Sequence, residues 1–89
     1  MTILTRRVIS VFDKKTSMRL AQSEWYILQN ICQNEKITRK TLLEMIEQKR
    51  DKQLGLTAAV RLFTLLYLYA QTTKAKYTKG SIENILNNM

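Results

Sequence analysis

Lys14-Lys15-Thr16-Ser17-Met18-Arg19-Leu20 alternates in character along its length. Successive side chains of a β-strand point to opposite sides, so Thr16, Met18 and Leu20 share one face and Lys15, Ser17 and Arg19 the other. The first face suits a core. The second carries two cations flanking a hydroxyl, a set matched to base edges and phosphates. A strand by itself leaves its backbone N–H and C=O groups unpaired. No later segment has the pattern of a partner strand, and a second copy of this strand from another chain is the simplest remedy.

The rest of the chain offers a modest core. Its 89 residues make one domain, 1–89, and oligomerisation is a common way to enlarge so small a core. Apolar residues make up 45%, as in a globular chain. Fifteen Lys and Arg stand against 7 Asp and Glu, for a net charge of +8 and a pI near 9.9. That excess favours a polyanion as partner, nucleic acid first and an anionic membrane surface second, although many small proteins are basic with no such partner. The cations are spread over several elements and not along one amphipathic face, which argues against a membrane surface.

Several function classes are excluded or disfavoured. Cys32 is the single cysteine, so there is no internal disulfide and no cysteine-based metal site, and a reducing, cytoplasmic location is expected. Histidine is absent, which removes the commonest general base and every His-dependent triad or metal cluster. Glu44 and Glu47 lie off the apolar stripe of their segment. With no Gly-rich phosphate loop either, no enzyme, cofactor or metal is expected. The longest apolar stretch, Leu62 to Ala70, is interrupted by Thr64 and far short of a membrane span. Met1 to Phe12 has no apolar run long enough for a signal peptide.

Outward from the opening strand, residues 3–12 are rich in β-branched and apolar types, with Asp13-Lys14 as a turn that lacks the favoured Gly. This segment either forms a hairpin with 15–20 or lies along the protein as an ordered arm. Residues 22–34 read as a helix, with Trp25, Leu28, Ile31 and Cys32 on one face and Glu24 in its first turn. Trp25 on that stripe is a core anchor sooner than a base-stacking platform. Asn34 is the candidate for the left-handed residue that ends the helix. Thr38 caps a second helix over about 39–51, whose inner face is Leu42, Met45, Ile46 and Lys49. Arg39, Lys40 and Thr41 fill its first turn. Cations there oppose the helix dipole, so this end is either an ordinary solvated turn or a place to hold an anion.

Gly55 closes a charged connector, and Thr57 is the expected cap of a third helix, about 57–71. That helix is apolar nearly all round, which calls for burial on most sides, by a partner subunit or as a ligand groove. Arg61, its lone charge, belongs at an exposed edge or against an acid. Residues 72–80 are basic and polar and read as a loop. Ser81 would cap a last short helix carrying Ile82, Ile85 and Leu86, a tail that either docks or stays mobile.

A strand of alternating pattern, a helix, a short turn and a second helix with a polar N-terminus follow in the order of the ribbon-helix-helix DNA-binding proteins. The chain resembles that family, in particular a bacterial subfamily with an added third apolar helix. The residues that carry the resemblance are Lys15-Thr-Ser-Met-Arg-Leu20, Glu24-Trp25 and Leu28, Leu42 and Ile46, and Leu56-Thr-Ala-Ala-Val-Arg-Leu-Phe63. They span about residues 6–70. The chain departs in having Ala21 just after the strand and Asn34-Glu35-Lys36 where the family usually has a Gly.

The resemblance implies a mainly α fold with a short β-ribbon: a homodimer with a core of about 13–51, a third helix per chain and a basic tail over 72–89. In that family two chains pair their strands into an antiparallel ribbon that enters the major groove. Lys15, Ser17 and Arg19 would then face base edges, and Thr38, Arg39, Lys40 and Thr41 would hold the phosphate backbone. A further strand over 7–12 beside a two-chain ribbon would widen it beyond a good fit. The implied function is a homodimeric, sequence-specific DNA-binding regulator of transcription. The alternative is a protein-interaction dimer, antitoxin-like or an adaptor, that grips a protein through its third helix or tail.

Overall fold

The computed structural model describes residues 3–73 and 82–89. The chain runs as strand β1 (Leu4–Val11), strand β2 (Lys14–Ala21), then helices α1 (Gln22–Glu35), α2 (Arg39–Lys49), α3 (Leu56–Thr73) and α4 (Ile82–Asn87). β2 finds its partner inside its own chain. β1 pairs with it antiparallel, from Leu4 opposite Ala21 to Val11 opposite Lys14. The pairing expected from a second copy is thus met within one chain, and residues 3–12 supply the hairpin strand instead of an ordered arm lying along the protein.

The turn explains why this pairing was hard to foresee. Its central residues are Phe12 (φ 50°) and Asp13 (φ 65°), one position earlier than Asp13-Lys14. Positive φ at both is the two-residue turn that matches strand twist, normally built from Asn and Gly. For a bulky Phe the left-handed region costs on the order of 1–3 kcal/mol and needs support from its surroundings. The Phe12 N–H donates to Glu44 Oε2 on α2 at 2.9 Å, which ties the turn to the helix layer.

Beneath the ribbon, Ile9 and Val11 of β1 and Met18 and Leu20 of β2 are buried against the helices. The α1 stripe is as the period dictates: Trp25, Leu28, Ile31 and Cys32 are all buried. The Trp25 indole N–H donates to the Thr5 carbonyl at 2.9 Å, which fastens α1 to β1. Burial pushes the Cys32 thiol pKa up, so it is an inert part of the core. α1 ends not at Asn34 but at Lys36, the residue in the left-handed conformation (φ 58°). At the start of α1 Ala21 has no side-chain acceptor to offer. Half a capping box remains, in which the Ala21 N–H donates to Glu24 Oε1 at 2.7 Å.

Thr38 caps α2 as expected, its Oγ1 accepting from the Thr41 N–H at 3.1 Å. α2 stops at Lys49, and Leu43 joins Leu42 and Ile46 in the core while Lys49 stays exposed. Thr57 does not cap α3. The Gly55 carbonyl accepts the first helical bond, from Ala59 at 3.0 Å, and Thr57 sits within the first turn.

α3 buries Ala59, Val60, Phe63, Tyr67 and Ala70. Its apolar opposite side is not covered: Leu65 is 64% and Tyr69 58% exposed. Arg61 is at an exposed edge and also paired, its Nε donating to Glu24 Oε2 at 2.9 Å. Tyr67 Oη donates to Glu35 Oε2 at 2.7 Å. Burial first, and this carboxylate second, push the Tyr67 pKa up to about 12. Ile82, Ile85 and Leu86 of α4 are buried and close the core, so this last helix docks. The expected loop over 72–80 begins with α3 still helical at Thr72 and Thr73; its remainder, and the Ser81 cap, lie outside the described residues.

Candidate nucleic-acid interface

The register fixes which side chains share the ribbon's outer surface. Ile9, Val11, Met18 and Leu20 mark the helix side, so the residues between them face away. Beyond Leu4 and Ala21 at the open end, three cross-strand pairs make up that outward face: Arg6 with Arg19, Val8 with Ser17, and Ser10 with Lys15. All of these side chains are exposed except Ser10, which is half-buried. Lys15, Ser17 and Arg19 therefore stand together on one open surface. The first strand lies beside them and does not cover them.

Half of this face was missed from sequence. Arg6, Val8 and Ser10 follow the same alternation along β1, but their side of the sheet was undefined until the pairing was known. The added residues sharpen the electrostatics. Between residues 4 and 21 there are five cations and one acid. Arg6 sits directly opposite Arg19, and like charges in that position destabilise a sheet by a few tenths of a kcal/mol. Among the described residues none of Arg6, Lys15 and Arg19 has an ion-pair partner. A face that keeps such repulsion is matched to a polyanion.

The expected phosphate site at the start of α2 lies beside this ribbon. Arg39 and Lys40 share with Val8, Ser10 and Gln29 an open groove of about 450 Å³ that runs from β1 to α2. The backbone N–H groups of the first helical turn belong to this end of α2. Its side chains are partly committed. Thr38 Oγ1 donates to Thr41 Oγ1 at 2.9 Å. Lys40 Nζ is 3.4 Å from Glu44 Oε2. The Arg39 guanidinium lies over the Trp25 ring at 5.4 Å, with Arg7 over the same ring at 5.0 Å. Trp25 is only 4% exposed and is a core anchor, as expected, yet it also holds two cations at the groove.

Glu44 joins the two parts of the site. The Phe12 N–H and, more weakly, Lys40 hold its carboxyl below the usual carboxylate range. The same carboxylate thus positions the hairpin turn and a cation of α2. Among the described residues no three His, Cys, Asp or Glu side chains gather as a metal site, and no helix is long and apolar enough to cross a membrane.

A family model described as a ribbon-helix-helix domain matches residues 4–68 of the chain. The match begins at the first residue of β1 and ends within α3, so it takes in the hairpin, both following helices and most of the third. No curated protein and no solved structure matches the chain.

Proposed function

Because this chain belongs to the ribbon-helix-helix family, we propose that it binds double-stranded DNA with sequence preference and regulates transcription in the cytoplasm, without catalysing a reaction. The outward face of β1 and β2 enters the major groove, which admits a two-stranded ribbon. Lys15, Ser17 and Arg19 contact base edges. Thr38, Arg39, Lys40 and Thr41 hold a phosphate through the first turn of α2 and its cations. The observation that carries this is the exposed set of cations on the ribbon, without ion-pair partners among the described residues and with Arg6 opposite Arg19.

The test is duplex binding against salt. With about six phosphates contacted, the slope of log K against log salt is near −5. Arg19→Ala weakens a preferred site by about 1–3 kcal/mol and relaxes preference, whereas Lys40→Ala weakens all sequences alike. Affinity that is unchanged between low and moderate salt would remove the proposal.

The homodimer rests on different ground from a shared ribbon. Leu65, Leu68 and Tyr69 of α3 are exposed. An open groove of about 240 Å³ beside them is lined mainly by apolar side chains, among them Ile27, Leu65 and Leu68. Its charged residues, Glu24 and Arg61, already pair with each other. For a chain of charge +8, this neutral side is where a second copy approaches with least repulsion. The same apolar side supports the second reading, a different protein bound through α3. A pull-down after nuclease treatment that recovers one defined partner, from a chain that is single in solution, would favour that reading over self-association.

A further inference from the structure

Half of the ribbon's outward face comes from β1, and its spacing has a consequence for sequence preference. In a hairpin closed by a two-residue turn, the pair flanking the turn exchanges both backbone hydrogen bonds. Here that pair is Val11 and Lys14. The outward pairs are then the alternate ones, whose Cα atoms approach to about 4.5 Å and whose side chains stand closest. Along the ribbon these pairs recur every two residues, about 7 Å, close to two base-pair rises of about 3.4 Å each. Three pairs therefore extend over about five base pairs, with no residue taken from a second chain.

From this placement we infer that Arg6 and Val8 of β1 are specificity-determining residues, and that each chain reads a complete block with guanine at one end and thymine at its middle. This rests on the duplex-binding function proposed above. Arg6 and Arg19 set two guanidinium forks side by side, each able to donate twice to guanine O6 and N7. Their repulsion in the free protein is relieved when each meets those acceptors. Val8 is the one apolar side chain within these three pairs and is 60% exposed. Its isopropyl group has no polar role there; it matches the thymine methyl, the apolar group of the major-groove edges. Ser17 beside it donates or accepts. At the turn end Lys15 donates to a second guanine, with Ser10 opposite.

The test uses the full chain and a pool of random-sequence duplexes. The recovered block spans about five base pairs, with guanine and thymine about two steps apart. On that block Arg6→Ala lowers affinity roughly 5- to 150-fold, the worth of one bidentate base contact. Its thermal midpoint stays at or above that of the parent, since an exposed like-charge pair is removed. Replacing the thymine by uracil deletes only the methyl group and weakens the parent roughly fourfold, whereas Val8→Ser no longer feels the replacement. Arg6→Ala binding the block as tightly as the parent, or Val8→Ser still sensitive to uracil, would overturn the inference while leaving duplex binding in place. A parent chain that binds no duplex would overturn both.

Discussion

The ribbon's outer face and the open side of α3 are both exposed, and they differ in what would cover them. The first is polar and cationic, and Arg6, Lys15 and Arg19 have no ion-pair partner among the described residues. The second shows Leu65, Leu68 and Tyr69 around a single neutralised ion pair. A charged face gains from a polyanion and loses that gain as counterions compete. An apolar face gains from any dry surface and is indifferent to dilute salt or helped by it. One small chain thus presents two surfaces with opposite solvent dependence, which makes their roles separable by experiment.

The largest contrast is in salt. Between 50 and 200 mM, a slope near −5 lowers duplex affinity about 1,000-fold. Self-association, followed by sedimentation over the same range, is expected to stay constant or strengthen. Parallel loss of both would join the two surfaces into one. Next in size, Leu65→Lys places a charge where an apolar side chain is expected to be covered. Burying a Leu is worth about 1.5–3 kcal/mol, so dimer dissociation rises roughly 10- to 150-fold while a single chain's contact with duplex is kept. An unchanged sedimentation profile would show that α3 is not the dimer surface.

Smaller effects probe the supports of each face. Asp13→Gly relaxes the left-handed second turn position and raises stability by up to about 1 kcal/mol, read from denaturant midpoints. On the α3 side, burial and Glu35 push the Tyr67 pKa up to about 12, so an ultraviolet titration is expected to hold a late step that Tyr67→Phe removes. Its raised pKa gives stability that is full below pH 10 and lost as pH rises from 10 towards 12. The carboxylates of Glu24 and Glu44 behave in the opposite sense. Arg61 chiefly lowers the first and the Phe12 N–H chiefly the second. Their contribution is full above about pH 4.5 and is lost as pH falls through their depressed folded values.

Much of the helical layer was legible because its signals are local. The α1 stripe, the Thr38 cap and the apolar positions of α4 follow from period and capping chemistry. The ribbon was half legible. Alternation put Met18 and Leu20 inside and Lys15, Ser17 and Arg19 outside, whereas Thr16, expected in the core, stays exposed at the turn end. The partner of β2 was sought in another chain, because Phe12-Asp13 lacks the Gly that announces a tight hairpin. What secures that turn is a carboxylate 32 residues away, at Glu44. Lys36, not Asn34, takes the left-handed position, and Gly55, not Thr57, starts α3. Both were decided by where the helices had to stop or begin to pack. Arg6 and Val8 were visible as residues but acquired a side of the sheet only through register.

Glu24 ties three parts of the molecule together. Its Oε1 receives the N–H of Ala21, the last residue of β2, and its Oε2 receives Arg61 from α3. The same carboxylate lines the apolar groove beside Leu65 and Leu68. Turning α3 about its own axis would therefore tug on the end of the hairpin through one acid. One carboxylate therefore stands between the apolar groove and the start of the helical layer, and holds both.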